Sequence, residues 1–173
     1  MSGSHRGHFE AWELAGAVKV VPMGQAQFLD FREKDAIGTK GLGSCSVVVI
    51  ASAHGAILAH IPPQPQATSN PTSGDANVQL MMNQVGILYR DKRQFFSSAE
   101  TIVICAVFQG QVALPSQLDI MQMSLIGLGL TTKIISYEVP GDSSIVGKGT
   151  VIVIKKREYA KPKILVEDHY ATI

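Results

Sequence analysis

The strongest constraint in this chain is a pair of apolar runs joined by a short turn. Residues 46–52 (SVVVIAS) are almost all β-branched or small, and residues 56–61 (AILAHI) follow after Ala53-His54-Gly55. β-Branched side chains favour the pleated sheet. A run without polar alternation belongs to a strand buried on both faces. The two runs therefore predict a β-hairpin whose first strand is covered on each side.

Other segments extend this picture. Residues 17–21 (AVKVV), 101–108 (TIVICAVF), 132–139, 150–155 and 163–166 read as further strands, with Pro140-Gly141-Asp142 turning the chain between two of them. Val78, Met81, Met82, Val85, Leu88 and Tyr89 recur at spacings of three and four, which predicts an amphipathic helix fading near residues 96–98. Asp75 is placed to cap it. A second helix fits residues 116–128, with Leu118, Met121, Leu125 and Leu128 along one side and Pro115, Gly127 and Gly129 at its ends. The methionines at 81, 82, 121 and 123 read as core filler. Residues 62–77, rich in Pro, Gln, Ser, Thr and Asn, read as a surface loop. The order of elements predicts an α+β fold, a largely antiparallel sheet or sandwich core covered by two main helices.

A chain of 173 residues suits one domain. The first fourteen residues read as a flexible tail and 15–173 as the single folded unit. Net charge is +1, from 15 basic and 14 acidic residues, so no electrostatic footprint for nucleic acid or an anionic membrane surface is present. No apolar run approaches the roughly 18 residues of a membrane span. Two cysteines make no disulfide framework, and they lack metal-binding spacing with the histidines. A reducing cytoplasm is the expected compartment, and no metal or cofactor is called for.

Chemistry concentrates in residues 39–63. Gly41-Leu42-Gly43-Ser44 is a small-residue turn leading into Cys45, which opens the first strand of the hairpin, and His60 ends the second. The two residues thus lie at the same end of the hairpin, where a cysteine–histidine pair within hydrogen-bonding reach would supply a nucleophile and its proton carrier. The glycine turn would aim backbone N–H groups from Gly43 and Ser44 at an oxyanion. The same residues also describe a buried thiol and a strand-end imidazole with no joint task. Cys105 reads as a buried strand residue, His54 as a solvated turn residue, and residues 155–157 as a solvated strand end. A Cys45–Cys105 disulfide would need matching geometry. Ser44 and Ser46 lack the Gly-x-Ser-x-Gly pattern of a nucleophile elbow.

Leu42-Gly43-Ser44-Cys45, with Thr39 before it and His60 then Pro62 after it, resembles the chemoreceptor glutamine deamidases (the CheD family). Val20-Val21-Pro22-Met23-Gly24-Gln25 is similar to the family's opening strand and turn, and the likeness spans roughly residues 17 to 156. A more distant likeness joins the deamidase toxins of the cytotoxic necrotizing factor class. The resemblance implies a Cys45–His60–Thr39 triad that converts glutamine side chains of a protein substrate to glutamate, with Thr39 orienting the imidazole. Departures fall at Ser46, where the family has valine, before His60, which lacks the family's pair of glycines, and at residues 140–148, where the family has an Asp-x-Gly-Gly-x-x-x-Arg segment. They bear on substrate choice, and the sequence names neither the substrate nor the oligomeric state. The competing expectations are a binding module that kept the fold without turnover and a redox sensor built on Cys45.

Overall fold

Strands β4 (Ser46–Ala51) and β5 (Gly55–Ile61) form the expected antiparallel hairpin, with Ser46 opposite Ile61 and Ala51 opposite Ala56. Both are buried along their whole length. The computed structural model describes residues 6–64 and 172 is the first undescribed residue at the C-terminus, with 72–171 described between. Around the hairpin lie α1 (His8–Leu14), β1 (Val18–Val20), β2 (Ala26–Asp30) and β3 (Ala36–Thr39). After it come α2 (Ser73–Asp91), a 3₁₀ turn at Arg93–Phe95, β6 (Glu100–Phe108), β7 (Gln111–Val112) and α3 (Pro115–Gly127). Strands β8 (Thr132–Glu138), β9 (Val151–Ile154), β10 (Lys163–Val166) and β11 (His169–Tyr170) complete the chain.

The strands make two sheets. One runs β2-β5-β4-β6-β7, with β8 also beside β6, and the other runs β1-β3-β9-β10-β11. Pairing is antiparallel throughout except for β1 with β3 and β6 with β8. The fold is α+β, with the helices outside the sheets.

Strand alternation divides the core into layers. Val47, Val49, Ala51, Ala56 and Leu58 face the second sheet and pack with Ile37, Val151, Val153 and Ile164. Val48, Ile50, Ile57, Ala59 and Ile61 face the opposite way, under Val78, Met81, Met82 and Val85 of α2 and Leu118, Met121 and Leu125 of α3. The central strands carry no polar alternation because both of their faces are core.

The N-terminus corrects the reading of a fourteen-residue tail. Residues 8–14 are helical, and Phe9 is buried on the outer face of the second sheet with Val18, Ala36, Ile152 and Leu165. Gly38 makes room for it, because a Cβ there would stand 2.9 Å from the Phe9 ring and 2.7 Å from the Val151 carbonyl. Residues 1–5 lie outside the described residues. Among the described residues this short helix joins the two main ones, α2 and α3, in covering the sheets.

Two further expectations change. Helix α2 begins at Ser73, so Asp75 sits in its first turn and Thr72 holds the cap position. The carboxylate still lies where it favours a helix N-terminus. The expected loop at 62–77 is correspondingly shorter, and its residues 65–71 lie outside the described residues. Met81, Met82 and Met121 are core, but Met123 is 67% exposed, because it lies two residues beyond Met121 and so turns away from the buried stripe.

Candidate active site

Thr39 and His60 come from different sheets. Thr39 is the last residue of β3 and His60 the penultimate residue of β5. Thr39 Oγ1 lies 2.7 Å from His60 Nδ1 and, at 2.7 Å, donates to the Val21 carbonyl. A hydroxyl has one hydrogen. With that hydrogen on Val21, the Thr39 oxygen accepts from Nδ1–H, which fixes the neutral tautomer of His60 and leaves the lone pair on Nε2. That nitrogen is buried and has no hydrogen-bond partner. Burial holds the imidazole below its usual value of 6.5, so the ring is neutral.

The main chain fixes the same ring. His60 N–H donates to the Gln25 carbonyl at 3.0 Å, and the His60 carbonyl accepts from Gly24 N–H at 2.8 Å. Residues 24 and 25 thus hold the histidine's backbone while Thr39 holds its side chain.

Cys45 immediately precedes β4. His60 is directly opposite Val47, so Cys45, two residues before Val47, is its diagonal neighbour on the same face. Both side chains enter the space between the sheets, and each is at least nine-tenths buried. No hydrogen bond joins Sγ to either ring nitrogen. Burial pushes the thiol up from 9.0 to about 11, so the resting pair is a neutral thiol and a neutral imidazole.

The turn before Cys45 uses one of its own backbone donors. Gly41 and Gly43 take positive φ values of +70° and +55°, as a glycine-rich approach should. Cys45 N–H, however, donates to the Leu42 carbonyl at 2.6 Å and is spent within the turn. Gly43 and Ser44 are exposed, and their N–H groups donate to no described residue. Next to Cys45, these two backbone donors are left without a partner among the described residues.

Tyr137 of β8 completes the surroundings and carries no signal in the sequence. It stands opposite Ala106 on β6, buried in the inter-sheet core, and its hydroxyl donates to the Cys45 carbonyl at 2.6 Å. Burial and the neighbouring Cys45 push its phenol upward, which keeps it a donor.

Cys105 is buried with the α2–α3 layer, on the face of the sheet opposite Cys45. Both thiols are free. The β4–β6 backbone lies between them, which excludes the disulfide. His54 is exposed, at the other end of the hairpin. A surface cavity of about 580 Å³ opens beside Gly41, walled by Glu10 and Glu13 of α1 and by Ile145 and Val146 of the 139–150 segment. Neither Cys45 nor His60 lines it.

Among the described residues no group of three or more His, Cys, Asp or Glu side chains gathers as a metal site. No described helix is long and apolar enough to cross a membrane. Set against known proteins, the chain matches no family model and no curated protein.

Proposed function

We propose that this chain is a cysteine hydrolase that deamidates glutamine side chains of a protein substrate, in the manner of the CheD family it resembles. The observation that carries the reading is the state of His60. Its Nδ1 is committed to Thr39, and its unpartnered Nε2 lies on the face shared with Cys45. A buried polar atom without a partner costs about 1–3 kcal/mol. A role for it in proton transfer accounts for that cost.

In this mechanism Nε2 takes the Cys45 proton as Sγ bonds to the carboxamide carbon. The oxyanion falls to Gly43 and Ser44 N–H. Collapse breaks the C–N bond, and the imidazolium returns its proton to the departing ammonia. Water, deprotonated by Nε2, then attacks the thioester; the C–S bond breaks, leaving glutamate and the free thiol. Thr39 stabilises the imidazolium through its hydroxyl oxygen, the place a carboxylate or amide takes in other triads. No metal or cofactor takes part, and a cytoplasmic location keeps the thiol reduced.

The second reading, a binding module that kept the fold, has its own support. The resting thiol is raised to about 11, and it makes no hydrogen bond with His60. The redox-sensor reading has less, since Cys105 is on the wrong face to resolve an oxidised Cys45.

The test is ammonia release from a library of glutamine-containing peptides, with Cys45→Ser and His60→Ala beside the wild type. The expected result is conversion by the wild type and a fall of about 10²–10⁴ in either variant. A wild type that converts no peptide and whose thiol is indifferent to His60→Ala leaves the binding module as the better account.

A further inference from the structure

The site is buried, and hydrogen bonds hold the main chain of both Cys45 and His60. His60 is fixed at its backbone by Gly24 and Gln25 and at its ring by Thr39. Cys45 is fixed on both sides of its Cα. Its N–H is held by the Leu42 carbonyl at 2.6 Å, and its carbonyl by the Tyr137 hydroxyl at 2.6 Å. Holding both flanking peptide planes fixes the Cα–Cβ direction. The remaining freedom is χ1 of Cys45, which has three staggered positions.

We propose that Tyr137 is a positioning residue of this site, holding the Cys45 peptide so that Sγ meets His60 Nε2 by rotation about χ1 alone. The inference rests on the deamidase reading above. The hydroxyl is the part that matters. The Cys45 carbonyl precedes the ladder of β4, which starts with Ser46 opposite Ile61, so it has no strand partner of its own. A phenylalanine would fill the same inter-sheet volume and leave that carbonyl unheld. The peptide could then turn, and Sγ would be spread over orientations that miss Nε2.

The register makes this a property of the fold. Tyr137 reaches Cys45 because β8 runs parallel to β6 with Tyr137 opposite Ala106, while β6 pairs antiparallel with β4 on its other edge. The side chain therefore crosses over β6, within the space between the sheets, to a residue at the end of β4. Its action on the chemistry is indirect, through main-chain geometry, and the thiol's dependence on His60 is where it shows.

The experiment is iodoacetamide alkylation followed across pH in the wild type, His60→Ala and Tyr137→Phe, with Cys45 and Cys105 read separately by peptide mass spectrometry. Cys105, under the helices on the far face, reports loss of structure. The expected result is a His60-dependent component of Cys45 reactivity near neutral pH that falls about tenfold or more in Tyr137→Phe, as misalignment predicts, while Cys105 stays as protected as in the wild type. A Tyr137→Phe profile identical to wild type, beside a real effect of His60→Ala, overturns the role of Tyr137 and spares the catalytic pair. Equal loss of protection at both cysteines also overturns it, by showing a purely structural hydroxyl. No effect of His60→Ala overturns the deamidase reading and the positioning role together.

Discussion

Thr39 and His60 share a 2.7 Å hydrogen bond although they belong to different sheets. It is a polar tie across a largely apolar inter-sheet layer, and both residues are about 1% exposed. Thr39 therefore serves two acceptor–donor demands at once, the Val21 carbonyl and the imidazole Nδ1–H. Thr39→Val keeps the shape and removes both bonds, so the expected loss of stability is about 1–3 kcal/mol. Thr39→Ser keeps the hydroxyl and is expected to lose less. Urea denaturation of the three proteins checks this, and equal stability of Thr39→Val and wild type would contradict the contribution assigned to these two hydrogen bonds.

Stability should be greatest between about pH 6.5 and 9, for a reason located in two buried groups. His60 is held below 6.5 by burial, so the unfolded chain takes up protons first as pH falls through 6.5, and stability drops in acid. Cys45 is raised from 9.0 to about 11, so the unfolded chain ionises first. Stability from that source is intact below 9 and is lost as pH climbs toward 11. Cys105 and Tyr137 are shifted in the same direction and steepen the alkaline limb. Melting temperature followed against pH should show the acid slope reduced in His60→Gln and the alkaline slope reduced in Cys45→Ala, whatever either variant does to the level.

Leu42 is the buried anchor of the turn before Cys45. It is 1% exposed between two glycines of positive φ, and its N–H is held by the Gly149 carbonyl at 3.2 Å. Leu42→Ala is expected to cost about 2–5 kcal/mol, as buried leucines do. Local opening at this turn would expose Cys45 and leave Cys105 covered. Alkylation rates in Leu42→Ala should therefore rise more at Cys45 than at Cys105, and equal rises would mean that the whole domain opens.

Phe9 gives the plainest correction to the sequence reading. It is 2% exposed against the outer face of the second sheet, so Phe9→Ala should cost about 3–5 kcal/mol. A change within error in chemical denaturation would return α1 to the status of a tail.

The contrast between Phe9 and the β4–β5 hairpin shows what pattern reading reaches. β4 and β5 were legible because burial on both faces removes every polar residue but His60 from the face that matters. α2 and α3 were legible through their three-and-four spacing. α1 was not, since seven residues make only about two turns and fully bury a single aromatic, Phe9. β2 and β3 lack a β-branched run: β2 holds Gln27 and Asp30 among its five residues, and β3 carries Gly38 where Phe9 must approach. At the site, the candidates Thr39, Cys45 and His60 could be named from motif resemblance and hairpin arithmetic. Tyr137 could not, because its link to Cys45 depends on β8 running parallel beside β6, a long-range pairing with no local mark. The same holds for the inward turn of the Cys45 N–H.

Cys45 packs between the sheets and Cys105 beneath the helices, with the sheet backbone between them. A disulfide needs Cα atoms within about 7 Å and side chains directed at each other. Opposite faces of one sheet do not provide that direction. Treatment of the folded protein with diamide should therefore produce no intramolecular Cys45–Cys105 link, read by non-reducing peptide mass spectrometry, while the same treatment in denaturant does. A link formed under native conditions would mean that the strands around Cys45 rearrange, and it would bring the redox reading forward.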